Sequence, residues 1–573
     1  MRHVLIGCSS QYIHTNLAVY YLDAACRREG IPLTLLHTTV NRDSAEVLRE
    51  LLALRPDTAS FSCYIWNIEF VLRLAADLKA VRPELTVILG GPEVSFTAPQ
   101  ILGKHGQIDY ILCGEGEESY PALLRALEQG GALPEGAVSR EGGAVPHEYP
   151  VIRELDTLPS PYTKEMLSAL SGRIVYYESS RGCPYCCSYC LSSVCGGVRQ
   201  FSLARVESEL RKLTESGVSL IKFVDRTFNW DVERTLEILD LLITFPGETR
   251  WHFEIGGDLL NDRVLERLFS FPAGAIQLEM GVQSANPETL REIGRRENID
   301  RLLRYARRIT ESGRIHLHMD LIAGLPFEGA AQFEKSFNTV YAARPHTLQL
   351  GFLKLLPGSP LRRDAEKYGI VYRAYPPYEV LATDWISAEE LLALKETEEA
   401  VDRFHNSGRF SRSLLYLEEF YASPFAMYRA FGRAVREKSG NQPIPAKSLY
   451  EIVYHSGIRA GADGERLLDL LRLDQYAAGV AGPLPGLPGE DAARTQKIVR
   501  SLLENESQFL ELMPQMEGLS PRERNARLRF LLLRRDPETG ERAERLLLFD
   551  RENSDPVTGQ LRFVCVGTES VCD

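Results

Sequence analysis

Twice along the chain, short apolar runs alternate with helical patterns. That alternation confines a sequence to parallel sheets covered by helices. From residue 3 to about 130, His3–Gly7, Leu33–His37, Thr58–Ser62, Thr86–Gly90 and Asp109–Cys113 read as strands, with helices near 16–29, 44–54, 68–80 and 99–105 and another after Glu117. The pattern predicts a doubly wound sheet, and such sheets bind ligands at the carboxyl ends of their strands. Those ends carry Ser9 and Gln11; Ser62, Tyr64, Trp66 and Asn67; Gly90, Gly91, Pro92, Glu93 and Ser95; and Gly114, Glu115 and Gly116. A Gly/Pro-rich stretch from Gly130 to Pro150 and a linker containing Leu158-Pro159-Ser160-Pro161 follow. A second series begins at Ile174, with strands expected at 174–179, 220–225, 250–255, 275–280, 315–322 and 347–352. Six βα units imply a partial barrel, whose site also lies at the strand carboxyl ends.

At that end of the second series stand Cys183, Cys187 and Cys190, a CxxxCxxC run with Tyr189 before the third cysteine. Three thiolates on one loop can hold three irons of a [4Fe–4S] cluster and leave the fourth open to a small molecule. Cys186 permits another reading, two CxxC pairs on zinc. Zinc sites of that type separate the pairs by roughly 12 to 20 residues, whereas here the pairs abut, so the cluster is the preferred reading. Cys195 has no assignment.

The run resembles the radical S-adenosylmethionine (radical SAM) enzymes, in which the open iron is chelated by the methionine amino and carboxylate groups and reduction yields a 5'-deoxyadenosyl radical. The upstream sheet with its four loops resembles the domain of cobalamin-dependent members, with Gly90 and Gly91 leaving space for a bulky macrocycle. The Asp-x-His-x-x-Gly sequence that supplies cobalt with a histidine in many cobalamin proteins is absent, and His14 lacks its context. The resemblance therefore implies a lower cobalt face without histidine. It also implies S-adenosylmethionine contacts from Tyr189, Asp225, Glu254, Gln283, Ser284, Arg295 and Gly324, with Arg296 a rival to Arg295.

Beyond Leu361 an amphipathic helix over about 388–404 and further helices to about Met516 precede three expected strands, 527–535, 545–550 and 561–566. Asp536-Pro-Glu-Thr-Gly540 and Asp555-Pro-Val-Thr-Gly559 are good turns between them. This region resembles the uncharacterised C-terminal domain of one branch of the family. Its arginines read as a solvated face balanced by acids, with an anionic-substrate patch the alternative, and the aromatics from Tyr372 to Tyr378 with Trp385 as cavity lining or interdomain packing.

The expected organisation is α/β: a flavodoxin-like cobalamin-binding domain with linker (1–150), a partial (βα)6 radical SAM barrel (151–370), and a mainly helical C-terminal domain ending in a small β-sheet (371–573). The expected function is methyl transfer to an unactivated carbon through the deoxyadenosyl radical and methylcobalamin. Cyclisation or rearrangement with cobalamin as electron carrier, radical SAM chemistry without cobalamin, and a noncatalytic cobalamin or metal sensor remain alternatives. A net charge of −12 argues against general nucleic-acid binding. No run approaches the roughly 18 apolar residues of a membrane span. The N-terminus reads as a strand rather than a signal peptide, and a cytoplasmic protein served by a small-molecule substrate and a reductant such as flavodoxin or ferredoxin is expected.

Overall fold

A computed structural model describes residues 1–569 apart from 141, 143–148, 171, 246 and 441. The first sheet comprises β1 (His3–Ser9), β2 (Leu33–Thr39), β3 (Thr58–Ser62), β4 (Thr86–Gly90), β5 (Tyr110–Leu112) and β6 (Ala137–Ser139) in the order β2-β1-β3-β4-β5-β6. The first five run parallel. Apolar residues of both faces are buried, Ile6, Ala59 and Val87 in one helix-covered layer and Leu5 and Ile88 in the other. Two parts of this sheet differ from the sequence expectation. β6, within the stretch read as Gly/Pro-rich linker, pairs antiparallel with β5. Gly136 makes the reversal: its φ is +84°, and a Cβ there would stand 2.7 Å from the Cys113 carbonyl oxygen. Pro92–Ser95, expected as an open loop, is a helical turn.

The second sheet comprises β7 (Val175–Tyr177), β8 (Leu220–Phe223), β9 (Arg250–Ile255), β10 (Ile276–Gln283), β11 (His316–Ala323) and β12 (Thr347–Phe352), paired in sequence order and all parallel. β12 does not return to β7, so the barrel is open. Burial alternates strictly along β10 and β11, with one face against helices and the other toward the lumen. The lumen face is polar: Gln277, Glu279 and Gln283 on β10, His316, His318 and Asp320 on β11.

The C-terminal region closes the exposed edge. The helix Ala388–Ala400 starts on a Ser387–Glu390 capping box and continues as a π-helical turn, Val401–Asn406. The Asn406 amide accepts from Leu348 N at 2.8 Å and donates to Leu348 O at 3.1 Å, so a side chain occupies the edge that β12 presents. Three antiparallel strands, Leu528–Arg535, Arg542–Ser554 and Leu561–Gly567, end the described chain. Their arginines are paired as expected, Arg527 with Asp550, Arg545 with Asp536 and Arg535 with Asp463. No helix among the described residues is long and apolar enough to cross a membrane.

Candidate functional site

The cysteine loop leaves β7 through Ser179 and Ser180, and Asp225 fixes both. Asp225 accepts from Ser179 N at 2.8 Å and from the two serine hydroxyls at 2.6 Å each. It is 1% exposed, and burial pushes its carboxyl up despite those bonds. Asp225, expected at the methionine amino group, thus has both carboxylate oxygens hydrogen-bonded beneath the loop. Gly182 then lets the chain cross Gly197, whose carbonyl oxygen would lie 1.9 Å from a Cβ.

Each of the three cysteine sulfurs has a polar neighbour. Cys183 Sγ is 3.4 Å from Thr227 Oγ1, Cys190 Sγ accepts from Ser192 N at 3.4 Å, and Cys187 Sγ accepts from Arg295 Nη1 at 3.8 Å. Burial raises the Cys187 thiol, opposed by Arg295. Cys186 is exposed, and its carbonyl packs where only a glycine, Gly294, leaves room. Three thiols, two of them with N–H donors at their sulfurs, suit an iron–sulfur cluster, which such donors tune.

Arg295 occupies the opposite wall. Its guanidinium donates to the Gly281 carbonyl, to Glu297 Oε1 at 2.6 Å and to Tyr189 Oη at 3.5 Å, above the Tyr185 ring. Glu297, which the sequence reading missed, is its buried counter-ion; the only signal was its position two residues after Arg295. Gln283 has φ +68°, and a Cβ on Gly281 would lie 2.1 Å from its amide nitrogen. Glu254 is half-buried, its carboxyl raised by burial against Arg226. Ser284 is fully buried; it donates to Glu328 Oε1 at 2.6 Å and holds the loop from behind. Gly324, expected at adenine, has φ +88° and admits Val380 where a Cβ would clash at 2.7 Å.

A cavity of about 670 Å³ lies between the strand ends of the first sheet and the barrel mouth. Ser9, Ser62, Tyr64, Trp66, Gly90, Gly91, Pro92, Gly114, Glu115 and Gly116 line it on one side, with His14; Tyr176, Glu178, Arg181, Val224 and Arg226 line it on the other. Tyr64 and Trp66 stack with centroids 4.4 Å apart. Four expected residues lie outside this lining. Gln11 is exposed; Asn67 donates to Cys8 O and Ser62 O, both at 2.9 Å; Ser95 donates to Gly91 O at 2.8 Å; and Glu93 accepts from Tyr378 Oη at 2.5 Å. The two glycines also divide. Gly91 is required by the backbone, since a Cβ would meet Cys63 O at 2.5 Å, whereas at Gly90 only ordinary contacts would form.

Arg181, unremarked in the sequence, joins the two walls. It pairs with Glu117 at 2.6 Å, Glu178 at 2.7 Å and Glu115 at 3.3 Å, while Arg199 holds Glu115 at 2.7 Å. Burial disfavours its charge, but the three carboxylates outweigh this and raise it well above the usual arginine value. His14 Nδ1 is 2.7 Å from Tyr176 Oη across the same junction. Burial lowers its basicity, as do Lys222 and Arg173.

Residues 3–124 match the B12 binding domain, 177–340 the Radical SAM superfamily, and 366–549 a protein of unknown function family, DUF4080. The chain thus carries a B12-binding domain followed by a radical SAM domain. It is 30% identical to the hopanoid C-3 methylase of Methylococcus capsulatus over 51% of this chain and 59% of that one. Identity is 28% to the cobalamin-dependent radical SAM methyltransferase TokK of Streptomyces tokunonensis, over 55% of this chain and 50% of that one. The chain thus spans about half the length of the relatives it matches. The fold is shared with OxsB, solved with aqua-cobalamin and S-adenosylmethionine (TM-score 0.60, 14% identity, 84% and 82% of the two chains covered). It is also shared with TsrM from Kitasatospora setae (TM-score 0.55, 17% identity, 81% and 100% covered).

Proposed function

We propose that this radical SAM protein is a methyltransferase acting on an unactivated carbon of a small molecule, with a [4Fe–4S] cluster, S-adenosylmethionine and cobalamin as cofactors. The observation that carries this reading is the shared cavity: loops of the B12-binding domain and the mouth of the barrel face one space beside the cysteine loop. When bound, the cluster with S-adenosylmethionine supplies a carbon-centred radical and cobalamin supplies the methyl group. The chain's own residues orient these groups and enclose the space between them.

Cys183, Cys187 and Cys190 are the assigned iron ligands. Tyr189, Glu254, Gln283, Arg295 and the Gly324 turn are assigned to S-adenosylmethionine, with Asp225 and Ser284 acting behind them as positioning residues. The cavity loops from Ser9, Ser62 to Trp66, Gly90 to Pro92 and Gly114 to Gly116 are assigned to cobalamin. Arg181 sets the spacing of the two walls, because one guanidinium holds carboxylates from both. Residues 1–150, 151–370 and 371–573 form the three units on this reading, the last enclosing the barrel's open side. A flavodoxin or ferredoxin as electron donor, and a cytoplasmic setting, follow from the need for a reduced cluster.

Anaerobic reconstitution with iron, sulfide and hydroxocobalamin tests the proposal. With S-adenosylmethionine and dithionite, a methyltransferase of this kind forms both 5'-deoxyadenosine and S-adenosylhomocysteine. A cyclase using cobalamin only for electrons gives deoxyadenosine alone. Bound zinc with neither product makes the chain a sensor.

A further inference from the structure

The barrel lumen holds a group of side chains that neither the cysteine loop nor the B12 cavity uses. Glu279 on β10 and His318 on β11 are neighbours in register, and Asp320 stands two residues further along the same face of β11. Lys222 on β8 and His252 on β9 are in register beside them. Glu279 Oε2 accepts from Lys222 Nζ at 3.2 Å and from His252 Nε2 at 3.0 Å, and His318 Nδ1 is 3.9 Å from the same oxygen.

Two atoms of this group meet only each other, as an ion pair. His318 Nε2 and Asp320 Oδ1 are enclosed and 2.8 Å apart, yet they are misaligned for a hydrogen bond and neither has another partner among the described residues. A nitrogen and an oxygen held that way match neighbouring ligands on one ion, since bonds of about 2.1 Å at right angles put ligands ~3 Å apart. One donor atom from each of Glu279, His318 and Asp320 lies within 4.8 Å of the others.

We infer that Glu279, His318 and Asp320 bind a divalent metal ion in the barrel lumen. One imidazole and two carboxylates suit Mn²⁺, Fe²⁺ or Zn²⁺. Three ligands from two adjacent strands leave coordination positions open toward the lumen, where a carboxylate, carbonyl or hydroxyl oxygen of a substrate can bind. His252 acts from the outer shell, fixing the Glu279 carboxylate through Oε2. The Lys222 ammonium opposes the ion, and the Glu279 and Asp320 carboxylates favour it. The site rests on these residues and not on the methyl-transfer reading.

The test uses reconstituted holoenzyme kept oxidised, so that the cluster and cobalamin give no paramagnetic signal. Mn²⁺ is added and the six-line resonance of the free ion is measured. Wild type should take up one Mn²⁺ per chain, displaced by Zn²⁺. His318→Ala and Asp320→Asn should lose it with iron and cobalt contents unchanged, and His252→Ala should bind roughly 10-fold more weakly. Lys222→Met keeps every ligand and should bind more tightly, which preserves the test if a ligand variant misfolds. The site is refuted if wild type leaves both Mn²⁺ and Zn²⁺ free, if binding survives in His318→Ala and Asp320→Asn, or if Lys222→Met weakens it; the residues are then an ionic seam of the barrel wall.

Discussion

Arg295 stands between a thiol and a buried carboxylate: its Nη1 is 3.8 Å from Cys187 Sγ and its Nη2 2.6 Å from Glu297 Oε1. The Glu297 side chain is 0% exposed, so the arginine balances a charge that water does not reach. Arg295→Ala should therefore destabilise the barrel by about 3 to 5 kcal/mol, beyond any effect on S-adenosylmethionine. Adding Glu297→Gln should restore most of that stability. In the restored double variant, loss of the guanidinium beside Cys187 should lower the cluster potential by ~60 mV, equivalent to about 1.4 kcal/mol for one electron. An unchanged potential in redox titration would show that Arg295 acts only on Glu297.

Cys183→Ala, Cys187→Ala and Cys190→Ala should each lose the cluster, whereas Cys186→Ala should keep it. Cys187 is buried beside Arg295 while Cys186 is exposed. Iron and acid-labile sulfide measured anaerobically decide the matter. Retention in Cys187→Ala with loss in Cys186→Ala reverses the assignment.

Removing Arg181 leaves Glu115, Glu117 and Glu178 facing one another at the domain junction. Arg181→Met should destabilise by about 3 to 5 kcal/mol and lower cobalamin retention at equal folded protein. Arg181→Lys should recover only part of this, since an ammonium lacks the planar fork that meets several carboxylates at once. Cobalamin content measured on the folded fraction after gel filtration is the readout. Full retention in Arg181→Met would confine its role to folding.

The His14 ring is held by Tyr176 across the same junction, and no Asp-x-His-x-x-Gly sequence supports ligation. Electron paramagnetic resonance of the cob(II)alamin state should show cobalt lines without nitrogen triplets, unchanged in His14→Ala. Triplets that vanish in that variant would make His14 the lower ligand.

Glu328 is 1% exposed and accepts from Ser284 and Ser336, and burial raises its carboxyl to about 7 despite these bonds. A carboxyl whose folded value lies above its unfolded value favours the folded state only while protonated. Stability should therefore fall as pH rises from about 4.5 to about 7, by on the order of 3 kcal/mol. Glu328→Gln should flatten that part of the curve in denaturation followed at several pH values. An identical slope in both proteins would sink the assignment.

The order of strands and helices was legible in the sequence because apolar period and length decide local structure. Five of six strands in the first sheet, all six in the second and the three terminal strands stand within a few residues of their expected places. The cysteine triplet could be proposed for a related reason: the three thiols lie within eight residues, so their spacing is read directly. β6 was not, because a three-residue edge strand has too short a period to read and depends on Gly136 turning beneath Cys113. Gly91 illustrates the same limit, since its glycine is explained by a carbonyl 28 positions earlier rather than by a ligand. Asp225, Ser284 and Glu93 are polar residues at strand or loop ends, as a binding residue would be, and only packing shows their oxygens already bonded within the protein. Arg181 with its three carboxylates, and the Glu279, His318 and Asp320 group, join side chains from separate strands or domains. Sequence determined which elements form; tertiary packing alone decided which charges meet and which face open space, because a buried charge is stabilised by whatever the fold brings next to it.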